Sequence, residues 1–119
     1  MRLDGNLLST LVGLMEEDRE TMVPTRLSIL VYLYFTQNAT FPVLQKKLGL
    51  TSGNLSSHLR KLEGLGLIRI SKRFVDLKPT TFAVITIEGA ERVKSQMIRL
   101  RELVSLVIEK ETSESGKQT

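Results

Sequence analysis

The feature that most constrains this chain is the punctuation between Pro42 and Gly66. An apolar-patterned stretch from about Pro42 to Leu48 stops at Gly49, and Thr51 opens a second stretch that reaches about Leu65, where Gly64 and Gly66 close it. Glycine enters the left-handed conformation in which helices commonly end. A threonine hydroxyl accepts from the free N–H groups of a helix's first turn. The spacing therefore predicts two short helices joined by a tight break at Gly49-Leu50-Thr51. On the second helix Leu55, Leu59 and Leu62 fall in one arc at about 100° per residue, and that arc must face a core. The opposite face carries Gly53, Ser57, Arg60 and Lys61, flanked by Asn54 and Ser56.

The flanking segments follow the same logic. Leu7, Leu8, Leu11, Val12, Leu14 and Met15 recur at helical spacing, which predicts a first helix from Asn6 to about Arg19. The acidic cluster Glu16-Glu17-Asp18 and Glu20 leads out of it, and Pro24 separates it from the next element. A second helix is expected from about Thr25 to Gln37, with an apolar face of Leu27, Leu30, Val31, Leu33 and Tyr34 and a stop at Asn38. Thr40 and Phe41 precede a proline and read as extended, and the helix after them should bury Val43, Leu44 and Leu48. Two extended runs, Leu67–Phe74 and Thr80–Ile85, are joined by a hairpin tip at Val75–Pro79. Thr86 is placed to cap a final helix from about Ile87 to Lys110, and the polar residues 111–119 read as a disordered tail.

The chain's length, 119 residues, suits one domain. It has no cysteine and one histidine, which excludes disulfides, thiolate metal sites and a cysteine nucleophile. His58 sits beside the leucine arc and reads as a partly buried packing residue; no metal site and no cofactor are expected. The start of the chain lacks the pattern of a signal peptide and no segment is apolar for long enough to span a membrane, so a cytoplasmic location is expected.

Charge placement is more informative than the net value of +4. Between Thr40 and Thr80 stand Lys46, Lys47, Arg60, Lys61, Arg69, Lys72, Arg73 and Lys78 against Glu63 and Asp76, an excess of eight minus two, or +6; the remainder holds nine basic and eleven acidic side chains, or −2. A localised basic patch suits a polyanion as well as it suits a plain solvated surface. The helix pair decides between them. A short helix, a glycine-containing turn and a capped second helix form the helix-turn-helix arrangement, whose second helix enters the major groove of double-stranded DNA. Small residues toward its start, Gly53 and Ser57 with Asn54 and Ser56 on the flanks, allow close approach to base edges, and Arg60 and Lys61 suit guanine or phosphate. Arg69 and Arg73 alternate with Ile68 and Ile70, so they should face solvent on the hairpin, with Lys72 and Lys78 nearer the tip.

The last helix carries Val93, Met97, Leu100, Val104 and Val107 at intervals of three and four, widened by Ile98, Leu103, Leu106 and Ile108. That apolar surface exceeds what a small core can cover. With Leu7, Leu11 and Leu14 of the first helix it predicts a homodimer interface, the alternative being a monomer in which both helices fold back on their own core.

At Thr51-Ser-Gly-Asn-Leu-Ser-Ser-His-Leu the sequence resembles the small archaeal and bacterial winged helix-turn-helix regulators grouped with the MarR and ArsR types, whose recognition helix reads T-S-G-N-L-S-x-H-L. The agreement extends over about Arg26–Gly89, through Arg26-Leu27-x-Ile29-Leu30, Gly66-Leu67-Ile68, Lys72-x-Phe74, Pro79, Thr81 and Ile85-Thr86-x-x-Gly89. The resemblance implies an α+β, mainly α fold: a winged-helix core over 25–87 with an extra N-terminal helix (5–20) and a long C-terminal dimerisation helix (87–110). It also implies sequence-specific DNA binding as a transcriptional regulator, a dimer through the terminal helices, a wing contacting the minor groove, and Thr51, Ser52, Gly53, Asn54, Ser56 and Ser57 at the DNA-facing start of the recognition helix; helix 51–65 is expected in the major groove and the wing 68–85 on the phosphate backbone. Such regulators usually carry Gly-Arg at the wing tip, where this chain has Asp76-Leu77. An acidic tip repels phosphate, so Arg73 or Lys78 is expected to hold the backbone instead. A regulator of this kind can take a small-molecule effector, and no polar constellation here names one. The competing reading is a winged helix that docks another protein, its basic face meeting an acidic partner. An enzyme is disfavoured, since no carboxylate pair, activated nucleophile or phosphate-cradling loop can be placed.

Overall fold

A computed structural model describes residues 5–117, in the order α1 (Gly5–Glu16), α2 (Pro24–Thr36), β1 (Asn38–Thr40), α3 (Phe41–Leu48), α4 (Ser52–Gly64), β2 (Ile68–Val75), β3 (Lys78–Ile85) and α5 (Ile87–Lys117). This is the mainly helical α+β architecture expected from the sequence. The chain divides into two compact units, one spanning Thr21–Val93 and the other pairing the residues up to Glu20 with those from Lys94.

The Thr21–Val93 unit is built around a leucine-rich centre. Ile29, Leu30 and Leu33 of α2, Leu44 of α3 and the predicted arc Leu55, Leu59 and Leu62 of α4 are buried with Ala39, Leu67, Ile68, Ala83, Ile85 and Val93. Val43, expected inside, is exposed: α3 turns a single residue, Leu44, fully inward and leaves Leu48 half-buried. The strands form an antiparallel sheet in the order β1-β3-β2, with Ala39 opposite Ala83 and Ile70 also opposite Ala83 on the other side.

Local chemistry explains most boundaries. Pro24 sits in the first turn of α2. The stop of α2 falls on Gln37 rather than Asn38: Gln37 takes φ 72°, its N–H donates to the Leu33 carbonyl, and its own carbonyl accepts from Ile85 N–H at 3.0 Å. Asn38 is thereby released into β1. Thr40 is extended, as expected, and its hydroxyl accepts from Val43 N–H at 3.4 Å, so Phe41 begins α3 instead of remaining extended. Gly49 ends α3 at φ 66°, ψ 37°, and Thr51 caps α4 by accepting from Asn54 N–H at 3.2 Å. Thr86 accepts from Gly89 N–H at 3.0 Å and donates to the Gly66 carbonyl at 2.7 Å, tying the start of α5 to the end of α4. A Cβ on Gly89 would run into the Leu67 carbonyl oxygen, so this turn of α5 packs against the backbone leading into β2 only because residue 89 has no side chain.

The hairpin tip is tighter than expected. Val75 pairs with Lys78, leaving Asp76 and Leu77 as a two-residue turn with φ of 50° and 67°. Positive φ at both central positions is the mark of a type I′ turn, which matches the strands' twist. The sequence signal was hidden because Leu77 occupies the place where glycine is the usual choice.

The second unit contains α1 and the part of α5 from Lys94. Asp18, fully buried, accepts two hydrogen bonds from Arg99, from Nε at 2.7 Å and Nη2 at 2.6 Å, and Glu17 adds an ion pair to the same guanidinium at 3.1 Å. The hydrogen bond that Arg99 donates to Asp18, ahead of the charge of the two carboxylates and against the effect of burial, raises the Arg99 pKa above its ordinary value. Gly13 admits this arginine: a Cβ there would stand 2.7 Å from Arg99 Cδ. Thr10, also buried, reaches Glu102 Oε2 at 3.0 Å. Helix α5 continues to Lys117, which corrects the disordered tail expected from 111 for all but residues 118 and 119, which lie outside the described residues. A long preceding helix needs no new nucleation to propagate, and Lys110 pairs with Glu114 one turn on at 3.7 Å.

Candidate nucleic-acid interface

The cap at Thr51 decides how α4 presents itself. With its first turn closed by the threonine hydroxyl, Leu55, Leu59 and Leu62 point inward, and Thr51, Ser52, Gly53, Asn54, Ser57, Arg60 and Lys61 are exposed. Ser56 and His58 are half-buried at the margins of this face. Gly53 has negative φ and open space where a Cβ would stand, so nothing inside the protein demands a glycine there. Glu63, the one acidic residue of α4, accepts from Ile70 N–H at 3.2 Å and joins the helix to β2. Lys46 and Lys47 lie exposed in the last turn of α3.

The hairpin divides its basic residues between its two faces. Arg69, Ser71 and Arg73 stand opposite Val84, Phe82 and Thr80 on one face, whereas Lys72 stands opposite Thr81 on the other with Phe74 and Pro79. Arg69, Ser71 and Arg73 share an open hollow of about 540 Å³ with Asn38, Ile70 and Val84, and no acidic side chain lines it. The Arg73 guanidinium stacks over the Phe82 ring at 4.1 Å. This favours a fixed, still charged arginine, and no sequence signal pairs residue 73 with residue 82 before the register is known. Arg69, Lys72, Arg73 and Lys78 are all exposed, and among the described residues none of them has an ion-pair partner. Sequence reasoning did not foresee the tip: Phe74, Val75 and Leu77 are exposed together there.

A second surface lies on the unit that contains α1. Leu11, Met97, Val104 and Val107 are exposed and Leu7, Leu14 and Leu100 half-buried, in company with exposed Leu8, Val12, Met15, Ile98 and Ile108. Val93, assigned by periodicity to the same stripe, is instead only 4% exposed and belongs to the core of the Thr21–Val93 unit. A residue spaced for an interface and a residue spaced for a core have the same helical period, so spacing alone could not separate them.

Residues 25–104 match the winged helix DNA-binding domain family. The chain belongs to that family. A relative of similar sequence is an uncharacterised protein of Methanocaldococcus jannaschii, 35% identical over 78 residues that make up 66% of this chain and 85% of that one. Among solved structures, the transcriptional regulator homologue protein from Pyrococcus horikoshii OT3 superposes with a TM-score of 0.78 at 34% identity, covering 83% of this chain and 97% of its own. AbfR bound to DNA, in its overoxidised form, shares the fold at a TM-score of 0.64 and 14% identity, covering 93% of this chain and 84% of its own. The winged-helix hairpin is thus β2-β3, the helix-turn-helix is α3-α4, and the protein is a DNA-binding domain of the transcriptional-regulator kind. Among the described residues no helix is long and apolar enough to cross a membrane, and no group of three His, Cys, Asp or Glu is arranged to hold a metal.

Proposed function

We propose that the protein is a sequence-specific transcriptional regulator that binds double-stranded DNA as a homodimer, α4 in the major groove and the wing along the phosphate backbone. The observation that carries this reading is Gly53. A glycine in a helix costs up to about 1 kcal/mol relative to alanine, and here no backbone conformation or internal neighbour accounts for it. Close approach of something outside does. It stands between Ser52 and Asn54, with Ser57, Arg60 and Lys61 following on the same exposed face. That order matches base edges near the helix start and phosphate or guanine further along. The N-terminus of α4 itself favours a phosphate. Arg69, Lys72, Arg73 and Lys78 supply backbone contacts from the wing, and Lys46 and Lys47 from α3.

The apolar stripe on α1 and α5 supports a second copy as its cover. A two-fold dimer would set two copies of α4 about 34–36 Å apart, one turn of B-DNA. Gel shifts against a random duplex at low salt test the first part: binding should weaken steeply as salt rises, and Arg60→Ala with Lys61→Ala should abolish it. A protein that ignores duplex DNA at low salt would instead be a protein-docking winged helix.

A further inference from the structure

The wing ends in a turn that its own sequence makes costly. Leu77 sits at φ 67°, a conformation that a residue with a Cβ adopts under strain, and it is 95% exposed. It gains no packing in return. Beside it Phe74 is 78% exposed and Val75 44%, and Pro79 stands opposite Phe74 across the hairpin. Single exposed apolar side chains are ordinary. Four at the tip of one hairpin, one of them held against its backbone preference, are not. Phe74 and Pro79 lie on the sheet face that carries Ile70 and Ala83, but beyond the part of it that the helices cover. Below the tip stands a collar of Lys72, Arg73 and Lys78, an exposed positive patch of the kind that attracts a polyanion.

We propose that the wing tip is an apolar wedge for the minor groove of duplex DNA: Leu77, backed by Phe74, enters the groove and partly unstacks a base step while Lys72, Arg73 and Lys78 hold the phosphates on either side. The proposal rests on the DNA-binding reading above and adds to it a bend. The minor groove of B-DNA is only about 6 Å wide, so an entering side chain must widen it, and apolar wedges do so by kinking the duplex toward the major groove. Asp76 beside Leu77 carries the wrong sign for the negative potential of the groove, and the guanine amino group is the one donor on the groove floor that can receive its carboxylate. The cost of the kink depends on the step, so the wing would read flexible pyrimidine–purine steps without hydrogen-bonding to them.

The decisive variant is Leu77→Gly, which leaves every charge in place and creates the Asp-Gly turn that a type I′ hairpin prefers. The probe is a duplex recovered by in-vitro selection against the parent protein, carrying 2-aminopurine at the candidate step and a dye at each end. The parent should raise 2-aminopurine fluorescence and shorten the end-to-end distance. Leu77→Gly should melt at the same or a higher temperature, bind about tenfold or more weakly and lose both signals. Phe74→Ser should weaken binding in the same direction. If Leu77→Gly binds and bends the duplex as the parent does while Arg60→Ala with Lys61→Ala fails to bind, the wedge is wrong and the DNA-binding reading stands. If the parent binds no duplex at low salt, both fall. If Leu77→Gly changes the sedimentation coefficient of the free protein, the tip is a protein contact and the wedge is wrong.

Discussion

The two units of this protein are finished to different degrees. The winged-helix unit closes its own core: thirteen apolar side chains from every one of its helices and strands are buried together, and away from the wing tip its exposed large apolar side chains are Met22, Phe35, Val43, Leu65 and Ile87. The unit of α1 and the C-terminal part of α5 is held by polar bonds, Asp18 to Arg99 and Thr10 to Glu102, and leaves leucine, valine and methionine in water. One unit folds around what it hides. The other is pinned in a shape that keeps an apolar face presented.

The sharpest way to break this comparison is to remove the pin. Asp18→Ala leaves Arg99, whose side chain is 17% exposed, without its main partner, and deleting one member of a buried pair costs on the order of 3–5 kcal/mol. We expect amide exchange to accelerate in α1 and the C-terminal part of α5 while amides of α4 and β3 stay protected. Equal acceleration throughout would mean the units are one cooperative block. Next in size, Val104→Glu with Val107→Glu should leave the melting of the winged-helix unit intact, convert a dimer to monomers in sedimentation, and weaken binding to a two-half-site duplex by about a hundredfold or more through lost bivalency. A monomeric parent in sedimentation would refute the dimer outright.

Such contrasts also mark what the sequence could reveal. Helix ends were legible because their causes are local: Pro24, Gly49, Thr51 and Thr86 each act within one turn. The outer face of α4 was legible for the same reason, since one helical period fixes which residues share a side. Three things were not. The Asp18–Arg99 pair joins residues 81 positions apart, and an acidic run reads as solvated until its partner is known. Val93 repeats in step with interface residues but is claimed by the core. The two-residue turn lacks the glycine that announces it, and with the turn went the exposed tip.

Smaller effects sharpen the functional half of the contrast. Arg60→Ala should lower affinity for a selected duplex about tenfold or more without moving the urea midpoint, since Arg60 is exposed and a good base or phosphate contact is worth roughly 1–3 kcal/mol. Smallest of all, Gly53→Ala should raise helix stability by up to about 1 kcal/mol yet weaken DNA binding in fluorescence anisotropy. Unchanged or tighter binding would show that nothing approaches that turn closely.

Gly53 and Gly89 therefore give opposite signatures to anyone who mutates every position and counts survivors. No single-base change of a glycine codon that alters the residue avoids adding a Cβ. At position 89 that carbon meets the Leu67 carbonyl, so each variant should be depleted in a screen for folded protein and again in a screen for DNA binding. At position 53 the carbon meets empty space, so variants should pass the first screen and fail only the second. A map of DNA binding alone would score the two glycines alike and credit Gly89 with a DNA contact, although its constraint lies inside the protein.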